Sequence, residues 1–271
     1  MMDVGKKVAD EEGGSKLKLE LLSKQNNKIS FLLQGSSPGY SNALRRIILN
    51  EVPVMAIEEV EIRKNNSALY DEMIAFRLGL LVLKTDLKSY ELPKSQSDID
   101  ERKAKCTVQF TLKQKGPKTV YAEDLKTADP KIKPVYPRTP IVKLLKDQEL
   151  ELVATAILGK GQDHVKWSPC HVWFTNNHKI SINKDADIRL YKEVYPPQIF
   201  DAKGKISESL ILENNLVDAV AHVNEDIIKV EYKDDEHIFV IESWGQLDIK
   251  EILDTAIDVF DDKLDELDKL I

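Results

Sequence analysis

The sequence predicts an α+β fold, and three patterns predict it. Apolar and charged residues alternate near the start, where Leu17, Leu19 and Leu21 are separated by Lys18 and Glu20, and they alternate again at 107–112. Helical 3-4 spacing of apolar residues appears at 43–48 and returns at the end of the chain. Between these, the text turns polar near residue 84 and then strand-like before helical spacing comes back.

The elements follow in order. Ile29, Phe31 and Leu33 repeat the first alternation after Asn26-Asn27, which predicts a hairpin with one buried face. Ser37-Pro38 places a capping hydroxyl before a proline at the first helical position. The helix then carries Ala43, Leu44, Ile47 and Ile48 on one face and ends at Asn50 before Pro53. Val54, Ala56 and Val60-Glu61-Ile62 read as a strand, Asn65-Asn66-Ser67 as a turn, and Asp71 as the cap of a second helix with Ile74, Leu78 and Leu81. Residues 84–105 read as a domain boundary or an exposed crossing, Thr107–Leu112 as a strand stopped by Gly116-Pro117, and Ile141-Val142 and Leu150–Ala154 as further strands. Ile238–Glu242 is the last strand. A helix follows from Asp248, which forms a capping-box spacing with Glu251. Leu253, Ile257, Phe260, Leu264, Leu267 and Ile271 then step by four and three. A helix carried to Ile271 is about 36 Å long. So regular a seam fits lengthwise packing on another helix; its own domain is one source of that neighbour, but neither earlier helix is long enough to cover it, which favours another chain.

Composition narrows the function. The 271 residues are 42% hydrophobic and 31% charged, which suits a globular protein with one large or two modest domains. A net charge of −7 argues against a broad nucleic-acid footprint. The start shows no secretory signal, and no apolar run reaches the roughly 20 residues of a membrane span. Two cysteines, Cys106 and Cys170, exclude a disulfide framework and leave no Cys-x-x-Cys metal motif. Gly159-Lys160-Gly161 lacks the spacing of a phosphate loop and reads as a turn between strands. His164, His171 and His178 are spaced by seven, which on strands alternates their faces, so they read as surface or loop residues rather than metal ligands. No nucleophile–base pair or paired carboxylates with catalytic spacing stand out.

Six stretches carry a resemblance. Ser41-Asn42-Ala43-Leu44-Arg45-Arg46 leads through Val52–Ile57 to Asn65–Glu72 and Arg77-Leu78-Gly79-Leu80. Gly159-Lys160-Gly161 with His164–Cys170, and Val240–Leu247, follow in order. The chain resembles the α-type subunits of cellular RNA polymerases over roughly 16–271, most of all the archaeal D-type subunits and their eukaryotic counterparts.

The resemblance implies a discontinuous dimerisation domain, 16–84 with 236–271, interrupted by an inserted, mostly β domain at 85–192. Residues 1–15 are then a mobile tail, and 193–235 a variable segment where relatives carry a metal-cluster insert. It implies a non-catalytic assembly subunit that pairs with the small α-like subunit L and becomes a platform for the large catalytic subunits. The small zinc-bearing subunits N and P are expected neighbours. Asn42, Arg45 and Arg46 are expected to meet a large subunit. Leu44, Ile48 and the terminal seam of Leu253, Ile257, Phe260, Leu264, Leu267 and Ile271 are expected to meet the dimer partner. Location follows as the archaeal cytoplasm, or the nucleus if the chain is eukaryotic. Two departures are visible: Phe76 stands where relatives often have His, and Val82 where they often have Pro. Residues 185–235 contain no cysteine, so no iron–sulfur or zinc cofactor is expected. The chain stops at Ile271, so a separate promoter-binding domain of the bacterial kind is not expected either. Taken without the resemblance, the residues also fit a self-contained acidic α+β enzyme or a homodimeric adaptor.

Overall fold

The computed structural model describes residues 17–183, 186, 188 and 190–271. The tail expected at 1–15 lies outside the described residues. In chain order the elements are β1 (Lys18–Lys24), β2 (Lys28–Gln34), α1 (Pro38–Asn50), β3 (Val54–Asn65), α2 (Asp71–Gly79), α3 (Gln96–Asp100), β4 (Thr107–Lys115), β5 (Lys118–Tyr121), β6 (Lys126–Thr127), β7 (Pro140–Leu144), β8 (Glu149–Gly159), β9 (Cys170–Ile182), α4 (Glu208–Glu213), α5 (Val217–Val220), β10 (Ile228–Ser243) and α6 (Ile249–Asp268). The class is α+β, as the patterns predict.

The chain divides into two compact units. Among the described residues, one takes 17–20, 32–38 and those of 175–238; the other takes Leu21–Phe31, Gly39–Phe174 and Phe239–Ile271. Strands β1, β2, β10 and β9 make a four-stranded sheet in that order.

The second unit holds the larger core. A sheet of order β3-β8-β4-β6 pairs β8 antiparallel with β3 and with β4, putting Ala156 opposite both Ile57 and Val108. β8 is buried almost from end to end because both its edges are paired and one face is packed. Helix α2 lies on β3 and β7. Its Ile74 and Leu78 are fully buried in one cluster with Met55, Phe110 and Leu152. Each such side chain contributes about 1.5–3 kcal/mol by leaving water. The core takes in Met55 through Leu83 together with Val108 through Leu158, so it spans both sides of residue 84. Leu87, Tyr90 and Leu92 pack against it, and the Tyr90 hydroxyl donates to Asp129 at 2.6 Å. The polar stretch at 84–105 is therefore fastened to the core rather than an exposed crossing. Most of its lysines and serines face solvent, while Leu87, Tyr90, Leu92 and Ile99 turn inward and Asp98 is buried with them.

The first unit has a core of Ile180, Tyr195, Ile199, Ile211, Val220, Ile227 and Ile228. Ile180 and Ile228 come from β9 and β10, and the others from loops and the short helices α4 and α5 gathered beside those strands. β10 starts at Ile228, ten residues before the Ile238 start read from sequence. Its first half, Lys229–Glu236, is largely exposed and charged, so it lacks the apolar alternation that marks a strand.

Four other expectations are corrected. β1 forms, but all seven of its residues are exposed, so its leucines have no buried face within this chain. Tyr70, not Asp71, is the N-cap of α2; Asp71 sits in the first turn, where its charge favours the helix N-terminus, and accepts from Asn65 Nδ2 at 2.7 Å. α6 ends at Asp268, so Ile271 is not helical. Asp248 caps α6 by its backbone conformation, without a side-chain bond, so no capping box closes there.

Candidate assembly surface of the second unit

Helices α1 and α6 meet in the second unit. Tyr40 and Phe260 pack ring against ring at 5.9 Å, and Ile48 is fully buried. α6 is inserted by one stripe: Ile252 and Ala256 are fully buried, Phe260 is half-buried against Tyr40, and Lys263 reaches the end of α1. These positions lie four, four and three apart, so they share one face.

The seam read from the sequence is the neighbouring stripe. Leu253 and Phe260 are half-buried, whereas Ile257, Leu264 and Leu267 are exposed by 51%, 51% and 53%. Ile271 follows the helix and is also exposed. α6 therefore has two apolar stripes, one spent on its own unit and one uncovered. The buried stripe escaped sequence reading because Ala256 and Lys263 interrupt it.

The α1 residues separate in the same way. Asn42 and Arg46 are exposed, Leu44 and Arg45 are half-buried, and Ile48 has no surface left for a partner. Ile48 belongs to the core of its own unit because its turn of α1 faces inward. Arg45 points two donors, Nε at 3.2 Å and Nη2 at 2.9 Å, at the Asn42 side-chain oxygen three residues earlier. The Arg46 guanidinium has no hydrogen-bond or ion-pair partner among the described residues.

A charged node that the sequence reading missed closes the bottom of this surface. Glu51, one residue past α1 and almost buried, accepts from Lys160 Nζ at 3.0 Å and from Lys263 Nζ at 2.9 Å. Burial by itself raises the Glu51 pKa, but the bonds from Lys263 and Lys160 outweigh it and hold the carboxyl below its ordinary value. Gly159-Lys160-Gly161 is the turn that brings Lys160 there, so the turn reading holds. A methyl on Gly161 would come within 2.3 Å of the Leu49 carbonyl oxygen, and one on Gly159 would meet the Trp167 ring at 2.3 Å. The Gln162 N–H donates to the Asn50 carbonyl at 3.1 Å, which satisfies one of the free carbonyls at the end of α1. No local signal announces Glu51, because its partners lie 109 and 212 residues away in sequence.

The conspicuous C-terminal stretch Ser243–Leu247 is a turn with a structural task. The Ser243 hydroxyl donates to the Leu247 carbonyl at 2.8 Å and accepts from the Gly245 N–H at 3.0 Å. Gly245, at φ +98°, sits where an added methyl would strike Val135 at 2.8 Å. The Gln246 carbonyl accepts from Thr85 at 3.0 Å, which ties the entry to α6 to the start of the polar stretch.

Other motifs lead to no chemistry. Burial pushes the Cys170 thiol up to about 12, which leaves it un-ionised at neutral pH and a poor nucleophile. His164 caps a short turn through its ring nitrogen, accepting from the Lys166 N–H at 3.0 Å, while His171 packs on Trp173 and His178 lies near Tyr232. Among the described residues no group of three His, Cys, Asp or Glu side chains is placed to hold a metal ion. Where the resemblance puts a metal cluster, the chain offers no thiolate and instead packs Tyr195, Ile199 and Ile211, so the donor set does not fit such a group. No helix among the described residues is long and apolar enough to cross a membrane.

Comparison with known proteins agrees with the geometry. Residues 60–170 match the family described as "RNA polymerase Rpb3/RpoA insert domain". The chain is 33% identical over 267 residues to DNA-directed RNA polymerase subunit Rpo3 of Methanosphaera stadtmanae, covering 93% of this chain and 97% of that protein. It is 36% identical over 254 residues to the subunit of the same name in Pyrococcus horikoshii, covering 92% and 95%. It is also 36% identical over 267 residues to that of Pyrococcus furiosus, covering 94% and 98%. With identity at this level over nearly the full length of both chains, the protein belongs to the Rpo3 family of DNA-directed RNA polymerase subunits.

Proposed function

We propose that this chain is the non-catalytic assembly subunit of an archaeal, cytoplasmic RNA polymerase. It pairs with the small α-like subunit L, and the pair presents a platform to the large catalytic subunits, with the zinc-bearing subunits N and P as neighbours. One observation carries the reading: α6 spends one apolar stripe on its own unit and leaves a second, of Ile257, Leu264 and Leu267, in water. Burying such a stripe against a partner helix recovers the hydrophobic free energy that the lone chain forgoes. Asn42, Arg45 and Arg46 then face a large subunit from α1, and Leu44 adds to the pairing surface. The chain needs no cofactor in this role, and nucleotidyl transfer belongs to the other subunits.

The test is the molar mass of this chain by light scattering, alone and after co-expression with subunit L. The expected result is a soluble 1:1 complex that buries on the order of 2,000 Å². A stable monomer that ignores subunit L overturns the reading.

A further inference from the structure

The seam of α6 has two unlike borders. Ile252, Ala256 and Lys263, each one residue before a seam position, belong to the side that docks on the chain's own unit. One residue after a seam position there stands an aspartate each time: Asp254 follows Leu253, Asp258 follows Ile257, Asp261 follows Phe260, Asp265 follows Leu264 and Asp268 follows Leu267. All five are exposed, and they step by four, three, four and three, so they form one row along the outer border of the uncovered stripe. Asp254 pairs with Lys250 of the same helix, and the other four make no ion pair among the described residues.

This row works against the helix that carries it, by two routes. Like charges three and four residues apart on one helix repel each other. Carboxylates in the last turns also meet the negative end of the helix macrodipole, and α6 has no basic residue in its last turn to offset them. The aspartates therefore do not serve α6 in the lone chain, and cations laid along that border would relieve both effects.

We infer that the acid row selects the occupant of the seam: a helix of a different chain whose own apolar stripe is bordered by Lys or Arg, and not a second copy of this chain. The inference rests on the pairing surface proposed above and adds the charge that its partner must carry. An apolar stripe alone accepts many amphipathic helices, and the row discriminates among them. Two copies packed antiparallel through the seam would lay one row of aspartates beside the other, on chains that each already carry a net charge of −7. A cationic border on a partner helix instead meets the carboxylates in register, because both borders repeat with their seams.

The experiment uses the full chain, alone and with subunit L, and a variant carrying Asp258→Asn, Asp261→Asn, Asp265→Asn and Asp268→Asn together, which keeps side-chain shape and removes charge. The variant is expected to unfold at or above the parental temperature, because the self-repulsion is gone; a lower temperature would show that the row stabilises the lone helix and would overturn the inference. In light scattering of the chain alone, the variant is expected to self-associate at a concentration where the parent does not. Equal molar masses would count against the row as a barrier to self-pairing and overturn the inference. Parental affinity for subunit L is expected to fall about tenfold or more between about 0.05 and about 0.5 M sodium chloride, and that of the variant to change less than about twofold. Equal salt dependence in parent and variant would remove this inference and leave the pairing reading standing. Absence of a parental heterodimer would remove both together.

Discussion

Glu51 shows how one side chain can join three parts of a chain that are distant in sequence. It accepts from Lys160 of the β8–β9 turn and from Lys263 of α6 while itself ending α1. Replacing it with Gln leaves two ammonium groups short of a counter-charge in a mostly buried place. We expect Glu51→Gln to cost about 1–3 kcal/mol of stability, read from urea midpoints at neutral pH. The sign with pH follows from the lowered pKa. A depressed carboxylate gives stability that is complete above its ordinary value, 4.5 for Glu51, and is lost as pH falls through the lower folded value. The gap between parent and Glu51→Gln should therefore close on acidification below 4.5; a gap that stays constant or widens as the pH falls would refute the node's role. Asp86 acts in the same direction. Its bonds from Lys131 and Ser89 bring it from 3.8 to about 2, so its share is lost later, as pH approaches 2. At Gly161 the argument is steric. A methyl 2.3 Å from the Leu49 carbonyl forces the turn away from α1, so Gly161→Ala should destabilise by about 1–3 kcal/mol. Unchanged urea midpoints would show that the turn moves freely. None of this was legible in the sequence, where Glu51 is one acid among many and Gly161 simply one of a pair of turn glycines.

At the scale of elements, periodicity was a good guide to existence and a partial guide to facing. α1 runs from Pro38 to Asn50, as proline, spacing and the later Pro53 predict. α6 is where the sequence reading and the structure divide the work. The 3-4 stripe from Leu253 to Leu267 is real, but the helix docks by the adjoining stripe of Ile252 and Ala256. Because Leu264 and Leu267 are half exposed in the lone chain, charging them costs its fold little. Leu264→Asp with Leu267→Asp is thus expected to abolish pairing with subunit L while far-ultraviolet dichroism of the chain stays at the parental level. Retained affinity in that double variant would show that the exposed stripe is not the pairing surface. β1 is the complementary case: alternation announced a strand correctly but implied a buried face that this chain does not provide. Alternation reports that one side of a strand wants cover, and it is silent on which molecule supplies it.

The whole molecule is put together from segments that are not contiguous in sequence. The larger core gathers Met55 to Leu158 through the β3-β8-β4 pairing. The smaller core at 180–228 is made of apolar side chains. Stability should accordingly be indifferent to chelation: an excess of EDTA is expected to leave the unfolding temperature unchanged, and a fall of more than about 2 °C would reveal a metal that the donor set does not disclose. What the sequence determined by itself was the α+β class, the positions of most strands, the span of α1, the exposed stripe of α6 and, through six ordered stretches, the polymerase α-type resemblance. These are local or collinear properties, written in spacings of two, three and four residues. Only the tertiary structure decided that Ile48 is core, that α6 docks by its less regular stripe, that 84–105 is fastened down, and that Glu51 gathers two distant lysines. Each of those depends on which faces and charges meet between segments far apart in sequence, and no local spacing encodes a meeting that chain folding alone brings about.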